Sequence, residues 1–160
     1  MREEKITADR LAAFSDAVFA VIVTIMVLEL KAPDQPAFSA LGPLWPTAIS
    51  YVVSYLFIAS IWINHHYLLR FAGPPTLRLI WINFAHLFMV SLLPFATAWI
   101  ARTRLASSSV VFYAGLFVCI DIAYNMTAML VAFVAPRLGF GLICCALVLH
   151  LRPEVRSSRP

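Results

Sequence analysis

The chain has 160 residues, 62% of them hydrophobic and 12% charged, with a mean hydropathy of +0.86 and a formal net charge of +4. A soluble domain carries about 25% charged residues, so this composition excludes one. At about 20 residues per crossing, the length allows four to six membrane-spanning helices and leaves no room for a separate soluble domain.

The N-terminus MREEKITADR has mixed charges, and the first apolar run lacks a small-residue cleavage pattern, so that run is expected to be a retained span. It covers about residues 9–30, with Thr7 or Asp9 as helix cap and Pro33 beyond its end. A second span is expected over about 44–66, where Pro43 and Pro46 suit a first turn, and Trp45 and Trp62 fall near opposite interfaces. The stretch FAGPP (71–75) cannot continue a helix and makes a tight connection. A third span covers about 77–100 and is expected to kink at Pro94, which has no amide for the helical ladder. The fourth covers about 108–134 and holds Asp121 near its middle, with Asn125 one turn on, placed either to pair across helices or to line a wet path. A last apolar run, 138–151, is short for a crossing, and a polar tail follows over 152–160. The expected fold is all-α, a polytopic membrane bundle of four strong spans and a short fifth apolar segment.

Lys and Arg are scattered among the connections, so they read as topology signals and not as a nucleic-acid face. With the N-terminus inside and an even number of crossings, nine lie inside and three outside. Cys119, Cys144 and Cys145 sit within apolar runs, where they serve as small packing residues instead of a disulfide framework.

Polar groups within spans are functional candidates because hydrocarbon penalises them unless they are paired or wetted. The first span carries Arg10, Ser15 and Asp16; the second ends with Asn64, His65 and His66; the third begins with Asn83 and His86. Alternating direction brings these to one depth, where they can form a buried hydrogen-bonded cluster that joins helices. The same histidines, with Asp16, are the donors that a metal-dependent membrane enzyme or haem protein would use, although the chain has only four histidines. No Ser/His/Asp set, phosphate-binding glycine loop or CxxC motif points to another chemistry. The rest of the first span differs in kind: Phe14, Val18, Val21, Ile25 and Leu28 form an apolar stripe at helical spacing, with the hydroxyl of Thr24 beside it. Such a stripe meets lipid or packs against a neighbour, and repeated around a symmetry axis it makes apolar rings that can gate a pore by dewetting.

The string RLAAFSDAVFAVIVTIMVLEL (10–30) resembles the signature of the transmembrane protein 175 potassium channel family, in which an Arg precedes Phe-Ser-Asp on the first helix. The resemblance continues through WINHHYLLR (62–70), LIWIN (79–83) and LLPFATAWI (92–100). It implies a potassium-selective or leak-type cation channel in the cell membrane, a homotetramer of six-helix subunits, of which this chain would be a shortened form. First helices would line the pore, with Val21 at the constriction and Thr24, Ile25 and Leu28 also pore-facing. Arg10, Phe14, Ser15 and Asp16 would match the family's packing cluster, joined by His66, Asn83 and His86. The carbonyl filter TVGYG, which the family lacks, is also missing here. Departures from the family pattern are Val21 where Ile or Leu is usual, FAGPP in place of a charged stretch, and an end that falls before most of a fifth and sixth helix.

The channel reading requires potassium ions, the lipid bilayer and further copies of the chain, with no metal or haem. Its alternatives are the His65, His66 and His86 enzyme and a nonconducting truncated channel subunit.

Overall fold

The computed structural model describes residues 7–71 and 75–134. The expected fifth segment and the polar tail, with Ala72, Gly73 and Pro74 of the tight connection, lie outside those residues. Among the described residues all regular structure is helical: α1 (Ala8–Val27), a 3-10 segment (Phe38–Leu44), α2 (Trp45–Phe71), α3 (Leu77–Ser91), α4 (Leu93–Arg102) and α5 (Ser107–Val134). Among the described residues four segments are long and apolar enough to cross a membrane, α3 and α4 together making one of them.

Thr7 caps α1 by accepting from the Arg10 amide at 3.3 Å, and Asp9 places a negative charge on the positive end of the helix dipole. The helix ends at Val27, earlier than the expected Leu30. The amides of Leu28, Glu29 and Leu30 bond three residues back, to Ile25, Met26 and Val27. This tightened turn lets the chain leave the helix before the extended backbone that Pro33 requires.

The 3-10 segment was not expected; it carries Gly42 and Pro43 and leads directly into α2, with Pro46 in the first turn of that helix. α2 then runs five residues past the expected His66. The third span is broken and not merely bent: α3 stops at Ser91, α4 starts at Leu93, and Pro94 sits in the first turn of α4. The discontinuity precedes the proline because its ring has no N–H for the carbonyl four residues back and crowds the preceding turn. Between α4 and α5 the chain reverses in a short turn that puts Arg104 (φ 49°) and Leu105 (φ 64°) in the left-handed region, at a cost that side chains with a Cβ incur there.

α1 and α5 lie on opposite sides of a middle formed by α2 and the α3/α4 span. The apolar core includes Phe19, Ile22 and Met26 of α1, Ile58 and Ile61 of α2, Val90 and Leu93 around the break, and Leu116 and Ile120 of α5. Lipid tails are as apolar as these side chains, so close packing and interhelical hydrogen bonds hold such a bundle together.

One such set of bonds joins the three helices around the break. Ser54 Oγ lies 2.7 Å from Thr97 Oγ1 and 2.5 Å from Tyr113 Oη, and Thr97 Oγ1 donates to the Leu93 carbonyl at 2.7 Å. A carbonyl only accepts, so the proton of Thr97 is committed there; Ser54 then donates to Thr97, and Tyr113 donates to Ser54. The direction ranks two substitutions. Ser54→Ala strands the buried hydroxyl proton of Tyr113 and costs roughly 1–3 kcal/mol, whereas Tyr113→Phe leaves only an unfilled lone pair and costs about 0.5–1 kcal/mol. Thermal unfolding of the two variants checks the order, and equal losses would contradict the assigned direction.

Candidate functional site

Two features of α1 stand out, a polar contact near its start and an uncovered apolar face along its length. Ser15, fully buried, donates to the Leu11 carbonyl at 2.9 Å. Its proton being spent, it can only accept from Asn83 Nδ2, at 3.1 Å. That contact turns Asn83 Oδ1 toward His65 Nε2, 2.6 Å away, so the imidazole carries its proton on Nε2. One serine thereby fixes both an amide orientation and a histidine tautomer on two other helices.

The His65 ring stacks on His86 at 5.6 Å between centroids and meets the edge of Phe19 at 5.4 Å. His86 is 1% exposed, beside Tyr124 of α5, and its ring nitrogens make no well-formed hydrogen bond among the described residues, the Ile120 carbonyl being the backbone acceptor that it faces.

The expected cluster needs a correction at the second span: of the two histidines expected there, His65 joins it, and His66, the one that the resemblance implied, does not. Adjacent residues on a helix are about 100° apart, and the rotation of α2 turns His65 inward and leaves His66 exposed, its ring tilted against Trp62 at 5.9 Å. Asp16 stands at the edge of the cluster, where its carboxylate accepts from Trp62 Nε1 at 2.8 Å. Phe14 packs edge-on against Phe84 of α3 at 5.4 Å. Arg10 is exposed in the first turn. Asp121 and Asn125 are exposed on α5, Asn125 donating to the Asp121 carbonyl at 2.8 Å within the helix.

Trp62 is the member that sequence reasoning left out of the cluster, and His65, expected there beside His66, was missing only from the set that the resemblance implied. The signal for His65 was present: Ser50, Ser54, Ile58, Ile61, His65 and Leu68 recur at three- and four-residue intervals, and all are buried. As a metal site the histidines are poorly arranged, because the stacked rings of His65 and His86 do not converge their lone pairs and His66 lies apart against Trp62. Among the described residues no three His, Cys, Asp or Glu side chains gather where they could hold an ion.

The second feature lies along the rest of α1. Leu11, Ser15, Phe19, Ile22 and Met26 face the bundle and are buried. Val21, Ile25 and Leu28 face away and are 54%, 47% and 74% exposed within one subunit. Val18 is half-buried between these two faces. Beside the stripe runs a row of small exposed residues, Ala13, Ala17, Ala20 and Thr24. The hydroxyl of Thr24 donates back to the carbonyls of Val21 (2.8 Å) and Ala20 (3.1 Å), which leaves its oxygen lone pairs facing outward.

A multi-span helical membrane protein with a first helix fastened at one end by a polar cluster and uncovered along one side is the class that these features define. The family described as endosomal/lysosomal potassium channel TMEM175 matches residues 10–94, more than half of the chain. A potassium channel of Chryseobacterium sp. (strain P1-3) is 38% identical over 120 residues, which cover 75% of this chain and 62% of the relative. A potassium channel of Streptomyces collinus is 38% identical over 97 residues, 58% of this chain and 47% of the relative. The crystal structure of a lysosomal potassium-selective channel TMEM175 homologue from Chamaesiphon minutus superposes with a TM-score of 0.70 at 28% identity, covering 90% of this chain and 85% of that one. The chain belongs to the TMEM175 family. It spans roughly half to three fifths of the length of the curated relatives named above.

Proposed function

We propose that the chain is a subunit of a homotetrameric potassium channel of the cell membrane, and not an enzyme, with the first helices lining the pore. The observation that carries this reading is the contrast between the two sides of α1, one buried against its own subunit and the other presenting Val21, Ile25 and Leu28 to whatever lies outside it. Repeated around an axis, those side chains form successive apolar rings. A narrow apolar ring offers no replacement for a cation's hydration shell and so acts as a barrier and gate. Thr24 lies between the levels of Val21 and Ile25 and supplies oxygen acceptors to a partly dehydrated ion. Small residues let helices approach closely, and the Ala13, Ala17, Ala20 and Thr24 row is where the α1 of a neighbouring subunit would fit. The relatives' names as potassium channels agree with this reading.

The test is potassium flux into liposomes containing the purified chain. The expected result is flux well above that of protein-free liposomes, and equal flux in the two would overturn the proposal in favour of a nonconducting subunit.

A further inference from the structure

At the end of the bundle away from the polar cluster, a cavity of about 720 Å³ opens between the outer ends of α1, α2 and α4 under the 3-10 segment. We propose that it holds one acyl chain of an anionic phospholipid whose phosphate rests on Lys31 and Arg102. Its walls are chiefly apolar, including Met26, Leu41, Leu44, Ala48, Tyr51 and Ala98. Its rim carries Glu29, Lys31 and Arg102, with Arg102 bonded to Glu29 at 3.1 Å. The pair neutralises one cation and leaves an excess positive charge on Lys31. An apolar interior ending at a basic rim, placed where a membrane span meets its interface, complements an acyl chain and a negatively charged headgroup.

The size argues against filling by a second copy. A helix is about 10 Å across, so a volume of this order holds less than roughly two turns of one, whereas a single flexible acyl chain can thread between the side chains. Volumes of about 300–1,000 Å³ are ordinary for small-ligand sites.

The chain is reconstituted in nanodiscs with equal phosphatidylglycerol and phosphatidylcholine, transferred to mild detergent, and its retained lipid counted per subunit by mass spectrometry. The expected result is one retained lipid with roughly fivefold enrichment of phosphatidylglycerol, the size expected for one basic residue at a membrane surface. Lys31→Ala brings the ratio close to one while retention continues. Ala48→Phe fills the cavity from an exposed position and abolishes retention, and Ala98→Leu does the same should the first variant fail to assemble. Excess inorganic phosphate leaves retention unchanged, since the acyl chain anchors the ligand. The proposal is overturned if the unaltered chain keeps no lipid, if both cavity-filling variants keep it, if Lys31→Ala leaves the ratio unchanged, or if inorganic phosphate displaces the lipid. Ala48→Phe altering the oligomeric mass of a lipid-free protein would mean that a second copy fills the site. Retention needs no ion conduction, so its failure is distinct from failure of the channel reading.

Discussion

Val21→Asn raises potassium flux by on the order of tenfold, equivalent to about 1.4 kcal/mol off the barrier, and lowers the preference for potassium over sodium. An amide in each of the proposed four subunits offers oxygens and N–H groups where the unaltered ring offers none, so an ion crosses with part of its hydration shell replaced. Polar atoms that are not held at fixed separations coordinate the smaller sodium ion as readily as potassium, which is why discrimination falls as flux rises. Val21→Ala widens the ring without wetting it and is expected to raise flux with a smaller loss of preference. The control is Val23, on the same turn but packed against the core of its own subunit. Val23→Ala loosens packing and leaves conduction per assembled channel nearly unchanged. Flux and reversal-potential measurements on equally expressed protein decide between the two faces, and an equal effect at Val23 would remove α1 from the pore wall.

Asn83→Ala has the largest expected effect on stability. Its side chain receives the His65 proton and donates to Ser15, so one truncation cuts a hydrogen bond to α2 and another to α1. Two interhelical hydrogen bonds at roughly 1 kcal/mol each give a loss of about 2 kcal/mol, with a buried histidine N–H left without its acceptor. Asp16→Ala removes one bond at an exposed edge, from Trp62, and costs less than about 1 kcal/mol. Thermal dissociation of the assembly read by size exclusion separates the two, and the channels that remain assembled should keep their ion preference. A selectivity change in Asn83→Ala without loss of stability would show that the cluster acts on the permeant ion and not on helix packing.

Hydropathy located the four spans among the described residues, because a membrane crossing needs a length of apolar sequence that few other structures require. The stripe of α1 was legible, but not the way it faces, because Leu11, Ser15, Phe19, Ile22 and Met26, the set buried in the bundle, recur at the same helical spacing as Val21, Ile25 and Leu28. The choice between His65 and His66 was harder because α2 is apolar nearly all round, and one polar neighbour looks as suitable as the next until the spacing from Ser50 is followed through. Proline marked the break in the third span but displaced it by two residues, since what Pro94 disrupts lies toward the N-terminus of its own position. The Ser54, Thr97 and Tyr113 chain was not legible: each hydroxyl is ordinary on its own helix, and only the packing of three helices brings them together. Likewise the cavity depends on a 3-10 segment with no strong periodic signal.

The uncharged middle of α1 also has an electrical consequence. Between Asp16 and Glu29 the helix carries no ionisable side chain, and Asp121 lies on α5, across the bundle from α1. Moving one elementary charge through a membrane potential is worth about 2.3 kcal/mol per 100 mV, so a neutral helix that shifts or rotates does almost no work against the field. In the proposed channel the stretch of α1 between Asp16 and Glu29 therefore contributes no gating charge. On that reading the channel's current is expected to grow smoothly with driving force, without a threshold, in current–voltage recordings of the reconstituted chain.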